Sequence, residues 1–579
     1  MHSSTRLKSW SNSTRHELTG TSQPAADAAM KAAELLVNAL EAEGVEYVFG
    51  LPGEENLEFL EALRGHPDIQ TVLVRQEQAA GFMAATYERL TGKIAVAYST
   101  LGAGATNLVT SVAHASLGGF PVLFITGQKP IRENRQGLYQ LLDVTGLMRP
   151  ITKSARTIES GAEVAHMVHD AFRTMREGRP GPVHLELPQD VAAEETDGHL
   201  SPARHGAAPV ATEASLDAAA EAIANAKSPL IMLGPAAERH GVPEAVRSLV
   251  ATTNIPFCST WMGKGVGDER SDEFVGTLTS PGLDYVGAAV LAADLVLNVG
   301  HDIAEKAPFV MSRDRSQLVI HVNTFPAHGD AIYFPQLQVV GEVSHSLRQL
   351  EDRLHGRSRA DHSFSLEMAR KMRDSIERSS DDPGTGPIRP QFVVARVREA
   401  LADDAVVTLD NGVHKLWFTR NFPVYTPRTH IVDTALGSMG TGLPAAIAAA
   451  LVEPDRQVVA VVGDGGFLMN VQELETAVRL RLNLAVVILN DSGLGMIRMK
   501  QKADGYQAFN VDFDNPDFSV LTKAFGGNGH RIVDPATIAP TLRSALNGGG
   551  VHVIDIPIDY SENNALVEEM RMAVSPVAG

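Results

Sequence analysis

Short apolar runs alternate with helix-like segments along most of this chain, and this alternation restricts its fold more than any other feature. From about Ala29, the helical patterns AAELLVNALEAEG and QEQAAGFMAATYERLTG are followed by the runs VEYVFGLPG and IAVAYSTLGAG, and FPVLFITGQ comes later. Apolar runs without polar alternation are typical of strands buried on both faces, as in parallel sheets. The chain is therefore predicted to be an α/β protein built from doubly wound parallel sheets.

Length and local composition predict three such domains. The 579 residues exceed the roughly 250–300 at which a single hydrophobic core stops growing. The segment SPARHGAAPVATEAS is polar and Ala-rich, and the stretch from HGRSRADHSF to DDPGTGPIRP is broken by Gly and Pro, so both are interpreted as linkers. We predict a first domain over residues 29–200, a central domain over 213–354, a linker with some helix over 355–388 and a third domain over 389–570.

The charge and the cysteine content argue against several classes of partner. The formal net charge is −19 and no Lys/Arg-rich block is present, so neither nucleic acid nor an anionic membrane is an expected partner, because both need clustered positive charge. No apolar run reaches the ~18 residues of a membrane span. The single cysteine, Cys258, excludes a disulfide framework and a cysteine-ligated zinc site. A reducing compartment, with the cytoplasm as the default, is the expected location.

The first residues do not fit the pattern of the rest of the chain. Residues 1–28 are rich in Ser and Thr, mildly basic, and without an apolar segment of the secretory type. We predict a disordered tail here, and a transit peptide is the alternative because acidic residues are scarce.

One predicted strand ends on an isolated carboxylate. The run VVAVVGDGGF, residues 458–467, is apolar and β-branched up to Asp464, which stands between glycines. A helical pattern follows, and RLNLAVVILND then returns to a strand ending at Asp491. The two strands of such a unit are parallel neighbours with a right-handed crossover, so both carboxylates are predicted at the same edge of the sheet.

That edge is where open α/β sheets bind ligands, and its residues suit a phosphate held through a metal. Gly465 and Gly466 would let the backbone approach an anion closely. Two carboxylates, with a backbone carbonyl from the loop around Gly493, suit Mg²⁺, which also binds phosphate oxygens. The alternative is that Asp464 caps the following helix and that Asn490 and Asp491 begin a turn.

The segment Gly463-Asp464-Gly465, followed after the crossover by Asn490-Asp491, resembles the thiamine diphosphate motif of thiamine-dependent enzymes. In that family the second member of the later pair is a metal ligand, and it is usually asparagine. Asp491 keeps an oxygen donor there and adds negative charge. The resemblance implies that the third domain binds thiamine diphosphate through Mg²⁺ held by Asp464, Asp491 and the Gly493 carbonyl.

The same family needs a glutamate that faces the aminopyrimidine ring of the cofactor. In the family this residue follows a strand and starts a helix in the first domain. The segment VLVRQEQAAGFMAATYERLTGK fits that place, and its candidate is Glu77. The alternative is an ordinary carboxylate that interacts with the dipole at a helix N-terminus.

Further segments are similar to the acetolactate synthase branch across nearly the whole length: GLPG, GAGATNLVTSVAHA, ITGQKP, YQLLDVTGLMRPITK and LGSMGTGLPAAIAAA. The resemblance implies three catalytic residues, Glu77, Gln140 and Lys153, and places Gln140 and Lys153 at the substrate entrance. It implies cofactor contacts from Pro52, Gly53, Glu77, Asn411, Gly412, Val413, His414, Gly437, Ser438, Met439, Gly463, Asp464, Gly465, Gly466, Asp491, Gly493, Leu494, Gly495 and Met496. Met439 would wedge the cofactor into its bent shape, although such a methionine is otherwise ordinary core. His414 is equally explained by a structural role.

Departures from the branch indicate which member the chain is similar to. Biosynthetic members carry FAD on the central domain, whereas VGHDIAEKAPF, Val299 to Phe309, is similar to catabolic, flavin-independent members. FAD is therefore not expected, and GKGVG, Gly263 to Gly267, is the segment that would contact a dinucleotide. Biosynthetic members also place a tryptophan after the metal loop to favour 2-ketobutyrate, where this chain has Met499 and Lys500. Around GAGATN, Leu101 and Ala103 depart from the usual Ser and Pro. The resemblance therefore specifies the cofactor but not the donor substrate.

The resemblance thus implies decarboxylation of pyruvate and condensation with a second pyruvate, or another 2-keto acid, to 2-acetolactate and CO₂. Family members place Glu77 of one subunit against cofactor bound by another, so a homodimer or homotetramer is implied. A rival is another reaction on the same cofactor, by a 2-keto acid decarboxylase, a pyruvate oxidase or an aldehyde carboligase. Decarboxylases usually use histidines near the active centre; the first domain has no adjacent pair of histidines, and His114, in a helical pattern, is the nearest candidate. A second rival is a degenerate, non-enzymatic binding protein, against which the retention of Glu77 and both acids argues.

Overall fold

The fold is described from a computed structural model of the chain. It describes residues 30–132, 137–200, 208–279, 284–305, 309–311, 317–329, 332–357, 360–561 and 563. The predicted tail, residues 1–28, lies outside the described residues. Three six-stranded sheets, each wholly parallel, account for nearly all of the strands, so the predicted class of three doubly wound α/β domains is confirmed.

The first domain pairs its sheet in the order β3-β2-β4-β5-β7-β6, with a small antiparallel pair, β1-β8, beside it. Its elements are β1 (Met30–Lys31), α1 (Ala32–Ala42), β2 (Tyr47–Gly50), α2 (Leu57–Arg64), β3 (Gln70–Leu73), α3 (Glu77–Thr91), β4 (Val96–Ser99), α4 (Ala103–Gly118), β5 (Leu123–Gln128), α5 (Val144–Met148), β6 (Ser154–Thr157), α6 (Val164–Arg176), β7 (Val183–Pro188), α7 (Gln189–Ala192) and β8 (Glu195–Thr196).

The central domain has the sheet order β11-β10-β9-β12-β13-β14. Its elements are α8 (Glu213–Asn225), β9 (Pro229–Leu233), α9 (Val242–Thr253), β10 (Phe257–Ser259), β11 (Phe274–Thr277), α10 (Tyr285–Ala292), β12 (Leu295–Val299), β13 (Leu318–Asn323), β14 (Leu337–Val340), α11 (Val343–Leu354) and α12 (Ser363–Ser379).

The third domain has the sheet order β16-β15-β17-β18-β20-β19. Its elements are α13 (Pro390–Ala400), β15 (Val406–Leu409), α14 (Val413–Asn421), β16 (His430–Ile431), α15 (Gly442–Val452), β17 (Val458–Gly463), α16 (Asp464–Met469), α17 (Glu473–Arg479), β18 (Leu484–Asn490), α18 (Gly495–Ala503), α19 (Phe518–Ala524), β19 (Asn528–Arg531), α20 (Ile538–Gly548) and β20 (Val551–Pro557). Short 3₁₀ turns elsewhere in the chain cover Glu54–Asn56, Arg149–Ile151, Gly161–Glu163, Pro235–Glu238 and Pro535–Thr537.

The apolar runs form the buried centre of each sheet, as their composition predicts. All residues of β18 and all but the last of β17 are buried. The first and third domains share one continuous apolar core, in which α3 packs against the Ala-rich α15. Small side chains on both helices let their backbones approach closely. This contact brings the start of α3 next to the third domain of the same chain.

The segment predicted as a linker, residues 355–388, is more than a connection. Its helix α12 is 17 residues long and buries Met368, Ala369 and Met372 against β11 and α10. The polar residues that suggested a linker lie on the other face of this amphipathic helix. The central domain therefore extends to about residue 379.

No helix in the described part of the chain combines the length and the apolar character that a membrane crossing requires.

Buried histidine gives the first domain a specific pH dependence. His184, on β7, is fully buried beside Thr126 Oγ1, at 2.9 Å from Nε2, and burial lowers its pKa to about 3. Because the folded-state pKa is depressed below the ordinary value of ~6.5, stability present above that value is lost as pH falls towards 3. The His184→Asn variant does not take up this proton on unfolding, so lowering the pH destabilises it less than wild type. The difference in free energy of unfolding between wild type and variant should therefore shrink by ~2 kcal/mol as the pH falls from ~6.5 to ~5. Urea unfolding at both pH values measures this, and parallel pH profiles would contradict it.

Candidate active site

Three carboxylates lie side by side at the carboxyl edge of the third sheet. Asp410 follows β15, Asp464 follows β17 and Asp491 follows β18, and these three strands are consecutive neighbours. Since β16 pairs on the far side of β15, the chain changes direction across the sheet between β15 and β17. Crevices that bind ligands form at such switch points. The sequence-based prediction that Asp464 and Asp491 share one edge is confirmed.

Asp464 is buried and has hydrogen-bond partners for both oxygens. The Gly465 N–H donates to Oδ1 at 2.8 Å, and Asn515 Nδ2 donates to Oδ2 at 2.7 Å. Burial raises the pKa of this carboxyl, and the Asn515 bond opposes the rise. The N-cap position of α16 belongs to Gly463, and no side chain caps it. The alternative interpretation of Asp464 as a helix cap is therefore wrong.

Of the two residues that could begin a turn, Asn490 does so and Asp491 does not. Asn490 Oδ1 accepts the Ser492 N–H at 3.2 Å, as in an Asx turn, and Ser492 has a φ of 52°. The Asp491 carboxylate takes no part in this turn and pairs with Arg498 Nη1 at 2.9 Å. Burial and the nearby Asp464 carboxylate raise the pKa of Asp491 to about 7, against the effect of Arg498.

The surroundings of these acids fit a hard divalent cation. Two carboxylates that repel each other in a buried place are stabilised by positive charge. Asn515 Oδ1 and the Tyr560 hydroxyl are buried near them and form no hydrogen bond within the described residues. A Cβ at Gly493 would lie 2.1 Å from Arg498 Nη2 and 2.5 Å from the Val511 oxygen, so this loop position requires glycine.

Within the described ranges no cluster of three or more His, Cys, Asp or Glu side chains could hold a metal. Asp464 and Asp491 are therefore the acidic side chains that this edge offers to a cation, and Mg²⁺ usually completes its coordination with water and phosphate oxygens. An open cavity of about 630 Å³ lies beside Asp491, Ser492 and Asn515 and extends towards Asp517 and Arg531.

Asp410 organises the glycine-rich turns around the crevice. Its buried carboxylate accepts the Gly440 N–H at 2.8 and 3.0 Å and the Asn411 N–H at 2.6 Å. Asn411 Nδ2 in turn donates to the Gly437 oxygen at 2.6 Å. Burial raises the pKa of Asp410 to about 6. The single residue Asp410 thus fixes the loop after β15 relative to the loop before α15.

The helix predicted after Asp464 is divided in two. Asn470 lies between α16 and α17, and its Nδ2 donates to the Gly440 oxygen at 2.6 Å. A side chain that bonds to a distant backbone carbonyl competes with helix continuation. The break directs α17 towards the first domain.

His414 has a structural role. Its Nε2 donates to the Asp410 oxygen at 3.0 Å, and burial lowers its pKa to about 3, so the ring is neutral. The ring packs on two predicted cofactor residues, because a Cβ at Gly412 would lie 2.6 Å from its Cε1 and one at Gly463 3.3 Å from its Nδ1. This contact is the structural role that the sequence left open.

The other predicted cofactor residues of the third domain surround the same crevice. Met439 Cε lies 3.6 Å, and Leu494 Cδ2 3.4 Å, from the Cβ position of Gly465. Loops and helix starts carry the rest: Val413 begins α14, Gly437 and Ser438 precede α15, Gly466 is in α16, and Gly495 and Met496 begin α18.

In the first domain, Glu77 is the first residue of α3 and is only 5% exposed. Asn107 Nδ2 donates to its Oε2 at 2.9 Å, and the Gln76 side chain caps the helix by accepting the Gln78 N–H. Gly53, after Pro52, packs directly on Thr100, since a Cβ would lie 2.3 Å from the Thr100 Cβ. These residues meet at the carboxyl edge of β2 and β4, the switch point of the first sheet.

Gln140 and Lys153 lie at different places. Gln140 is exposed, has a φ of 57°, and lies over Gly102 at the start of α4, on the same edge as Glu77. Lys153 precedes β6, at the amino end of the outermost strand, and its ammonium group donates to the Glu177 oxygen. Because β6 runs parallel to its neighbours, the intervening segment returns the chain to the opposite edge of the sheet. In one chain Lys153 therefore lies at the edge opposite Glu77, and its place at the substrate entrance stays a prediction.

The GKGVG segment of the central domain is packed into the protein. A Cβ at Gly263 would lie 2.1 Å from the Leu233 oxygen, and Lys264 forms a buried ion pair with Glu269 at 2.8 Å. The glycines serve this close packing, and the lysine is already neutralised. Of the segment Val299 to Phe309, residues 306–308 lie outside the described residues. His301 and Phe309 pack around Tyr333.

Sequence reasoning missed Asp410, Asn515, Arg498 and Asn107. Asp410 had a detectable signal, because AVVTLDNG ends a buried strand on an aspartate just as the VVAVVGDGGF run does. Asn515 reaches the acids from the loop before α19 and Arg498 from helix α18, and no local pattern predicts such contacts.

Two neighbouring glycines test the packing of the crevice. A Cβ at Gly466 would lie 2.8 Å from Asp410 Oδ2, and that carboxylate is held by backbone bonds. Gly466→Ala should therefore lower the free energy of unfolding by ~1–3 kcal/mol. Gly465→Ala should stay within ~0.5 kcal/mol of wild type, because the nearest atom, Phe513 Cζ at 3.3 Å, is the tip of a partly exposed side chain that can move by the small distance required. Urea unfolding compares the two, and equal effects would contradict the proposed contact.

Comparison with known proteins identifies the family. Models of thiamine pyrophosphate enzymes match all three domains: the N-terminal TPP binding domain over residues 30–147, the central domain over 216–350 and the C-terminal TPP binding domain over 410–556. The chain is 32% identical over 554 residues to the catabolic acetolactate synthase of Raoultella terrigena, covering 93% of this chain and 97% of that protein. It is 33% identical over 548 residues to the acetolactate synthase of Bacillus subtilis, covering 93% and 95%. The chain belongs to the thiamine pyrophosphate-dependent enzymes, in the acetolactate synthase family.

Proposed function

We propose that this enzyme is an acetolactate synthase that converts two molecules of pyruvate into 2-acetolactate and CO₂. The observation that carries the proposal is the pair of carboxylates, Asp464 and Asp491, at adjacent strand ends, in a chain that also buries Glu77 at the start of α3. Similarity to acetolactate synthases over nearly the whole chain supports the same reaction. Other 2-keto acids are further candidate acceptors.

Each group of residues has a role in this proposal. Asp464, Asp491 and the Gly493 carbonyl hold Mg²⁺, which binds the diphosphate of the cofactor. Thiamine diphosphate supplies the electron sink that lets a 2-keto acid lose CO₂ and form a new carbon–carbon bond. Glu77 shares a proton with the aminopyrimidine ring, and Asn107 orients its carboxylate. Met439 and Leu494 give the crevice an apolar wall that excludes water. Gln140, exposed on the first domain over the start of α4, and Lys153 are proposed to line the substrate entrance.

The site is proposed to be completed between subunits of a homodimer or homotetramer. Large apolar side chains are exposed close to the acid-bearing edge, among them Met469 (52%), Tyr506 (70%) and Phe509 (79%). On the first domain, Leu138 (85%) and Tyr139 (68%) are exposed beside Gln140. Clustered exposed apolar groups of this kind mark interaction surfaces, and they lie on the two faces that a shared site would join.

Flavin is proposed to be dispensable and pyruvate to be the preferred acceptor. The packed GKGVG segment supports the first point, and Met499 on α18, in place of a tryptophan, supports the second. A cytoplasmic location is part of the same proposal, because Cys258 is a single, fully buried thiol whose pKa burial raises to about 12.

The surroundings of His114 argue against the alternative function, a 2-keto acid decarboxylase. Its histidine candidate, His114, is buried between Phe82 and Phe120, with Nδ1 3.2 Å from Asp433 Oδ2. A ring enclosed in this way is not free to deliver protons in the crevice, which favours carbon–carbon bond formation over release of an aldehyde.

Product analysis tests the proposed reaction. Purified protein with thiamine diphosphate, Mg²⁺ and pyruvate, without FAD, should form acetolactate in excess over acetaldehyde. Glu77→Gln should lower kcat by ~100-fold or more, because the amide cannot share a proton with the ring. Acetaldehyde as the main product would support the decarboxylase instead. Cofactor binding without any turnover would support a binding protein.

A second experiment tests the cation site. Asp491→Asn should weaken Mg²⁺ binding ~10-fold or more, because it removes one negative charge from the pair. The same change should leave the metal-free protein as stable as wild type or more stable, since repulsion with Asp464 is relieved. Calorimetric Mg²⁺ titration in the presence of cofactor and thermal unfolding of metal-free protein measure the two effects. Asp512→Asn is the matched control, because Asp512 pairs with the same arginine from an exposed position; equal loss of Mg²⁺ affinity in both variants would contradict the assignment.

A further inference from the structure

A buried carboxylate of the third domain contacts the segment that leads into Glu77. Glu473, the first residue of α17, has no exposed surface. Its Oε1 and Oε2 lie 3.0 and 3.3 Å from the Arg75 backbone nitrogen, which donates to them. Thr476 Oγ1 donates to Oε2 at 2.6 Å. A carboxylate of one domain therefore satisfies a backbone donor of another, two residues before Glu77.

The rest of α17 holds the same segment. The Arg479 guanidinium donates to the Leu73 oxygen at the end of β3, and Arg75 Nε lies 4.0 Å from Glu475 Oε2. The segment of residues 73–76 is thus contacted at a carbonyl by Arg479, at an amide by Glu473 and at a side chain by Glu475. Glu475 and Arg479 are four positions apart and share one face of the helix, whereas Glu473 is its first residue.

The place of the Glu77 side chain depends on this segment. Gln76 is extended, with φ −156° and ψ 140°, and its side chain caps α3. Among the described residues, Asn107 alone contacts the Glu77 carboxylate by a hydrogen bond, and it donates to Oε2. The backbone position of Glu77 is therefore set by the extended residues before it.

We propose that Glu473 is a positioning residue for Glu77. Its acceptance of the Arg75 N–H fixes the strand-to-helix junction from which the Glu77 carboxylate projects. The proposal rests on the proposed role of Glu77 toward thiamine diphosphate. Because α17 follows the Asp464 segment by way of Asn470, the element that shapes the metal edge also places Glu77 of its own chain.

The chemistry at Glu473 is unusual for a purely structural contact. Burial raises its pKa to about 7, so the side chain is costly to keep ionised, and an apolar residue would fill the space at lower cost. A charged acceptor, however, bonds more strongly to a backbone N–H than a neutral one. This is the property that a fixed junction requires.

Two substitutions and a matched control test the proposal. Glu473→Gln keeps one acceptor oxygen, whereas Glu473→Ala removes both. Glu305→Gln is the control, because Glu305 is also a buried carboxyl with its pKa raised to about 7, and it accepts the Met262 N–H at 2.7 Å in the central domain. All three remove a buried charge, and only the first two alter the junction before Glu77.

The first measurement needs no cofactor. Amide hydrogen exchange of peptides covering residues 73–80 should be ~10-fold faster or more in Glu473→Ala, intermediate in Glu473→Gln and unchanged in Glu305→Gln. Unchanged exchange in Glu473→Ala would overturn the proposal.

The second measurement follows the reactive carbon of bound thiamine diphosphate, whose proton exchanges with deuterium from solvent when the ring is activated. Glu473→Ala should slow this exchange and kcat ~100-fold, because small misplacement of a catalytic group has effects of that size. Cofactor affinity and the KM for pyruvate should change less than about threefold, and Glu473→Gln should recover most of the rate. Two outcomes would overturn the proposal. One is a Glu473→Ala variant that exchanges the proton on the reactive carbon at the wild-type rate. The other is a Glu473→Gln variant whose loss of rate is accounted for by a loss of cofactor binding. If wild type exchanges the proton on the reactive carbon but forms no acetolactate from pyruvate, the proposed reaction is overturned, and the role of Glu473 is still tested by the exchange.

Discussion

The pairing of β15, β17 and β18 is the constraint on which the rest of the site depends. Parallel neighbours end at the same edge, so an acid placed just after each strand meets the other two regardless of the sequence between them. Bringing carboxylates together in a buried place is costly, as the raised pKa of Asp491 shows. The protein offsets part of this cost with Arg498 and Asn515, and the remaining repulsion supports the divalent cation proposed for this edge.

The three acids divide the work by their hydrogen bonds. Asp410 is satisfied by backbone N–H groups of Asn411 and Gly440, so it fixes loops and has no oxygen to spare for a ligand. Asp464 has one oxygen bonded by the Gly465 N–H and the other by the Asn515 side chain, and Asp491 pairs with the Arg498 side chain. Equal residues at equivalent strand ends thus serve different purposes, and the side-chain partners, which a cation can replace, distinguish the proposed binding pair from the structural acid.

The elements that the sequence predicted well are those governed by local pattern. Fully buried strands such as β17 and β18, and the helix that begins at Glu77, follow from apolar runs and their ends. The failures involve contacts distant in sequence. The linker predicted over residues 355–388 included some helix but not the packing of α12 on the central domain, because the polar face of α12 dominates its composition. Asn515 hydrogen-bonds to Asp464 although the two residues are 51 positions apart in the sequence, and a periodic pattern cannot predict such a contact.

The link between α17 and the start of α3 gives the separate domains a reason to fold together. In the proposed homodimer, Glu77 and the acid edge of one chain serve two different sites, so the docking of the two domains affects the geometry of both. Misplacing a catalytic group by about 1 Å can cost ~100-fold in rate. Apolar packing of α3 on α15 supplies the energy of association but tolerates sliding, since it is not directional. The hydrogen bond from Arg75 to Glu473 is directional and buried, so it selects one docking position among those that the apolar contact permits.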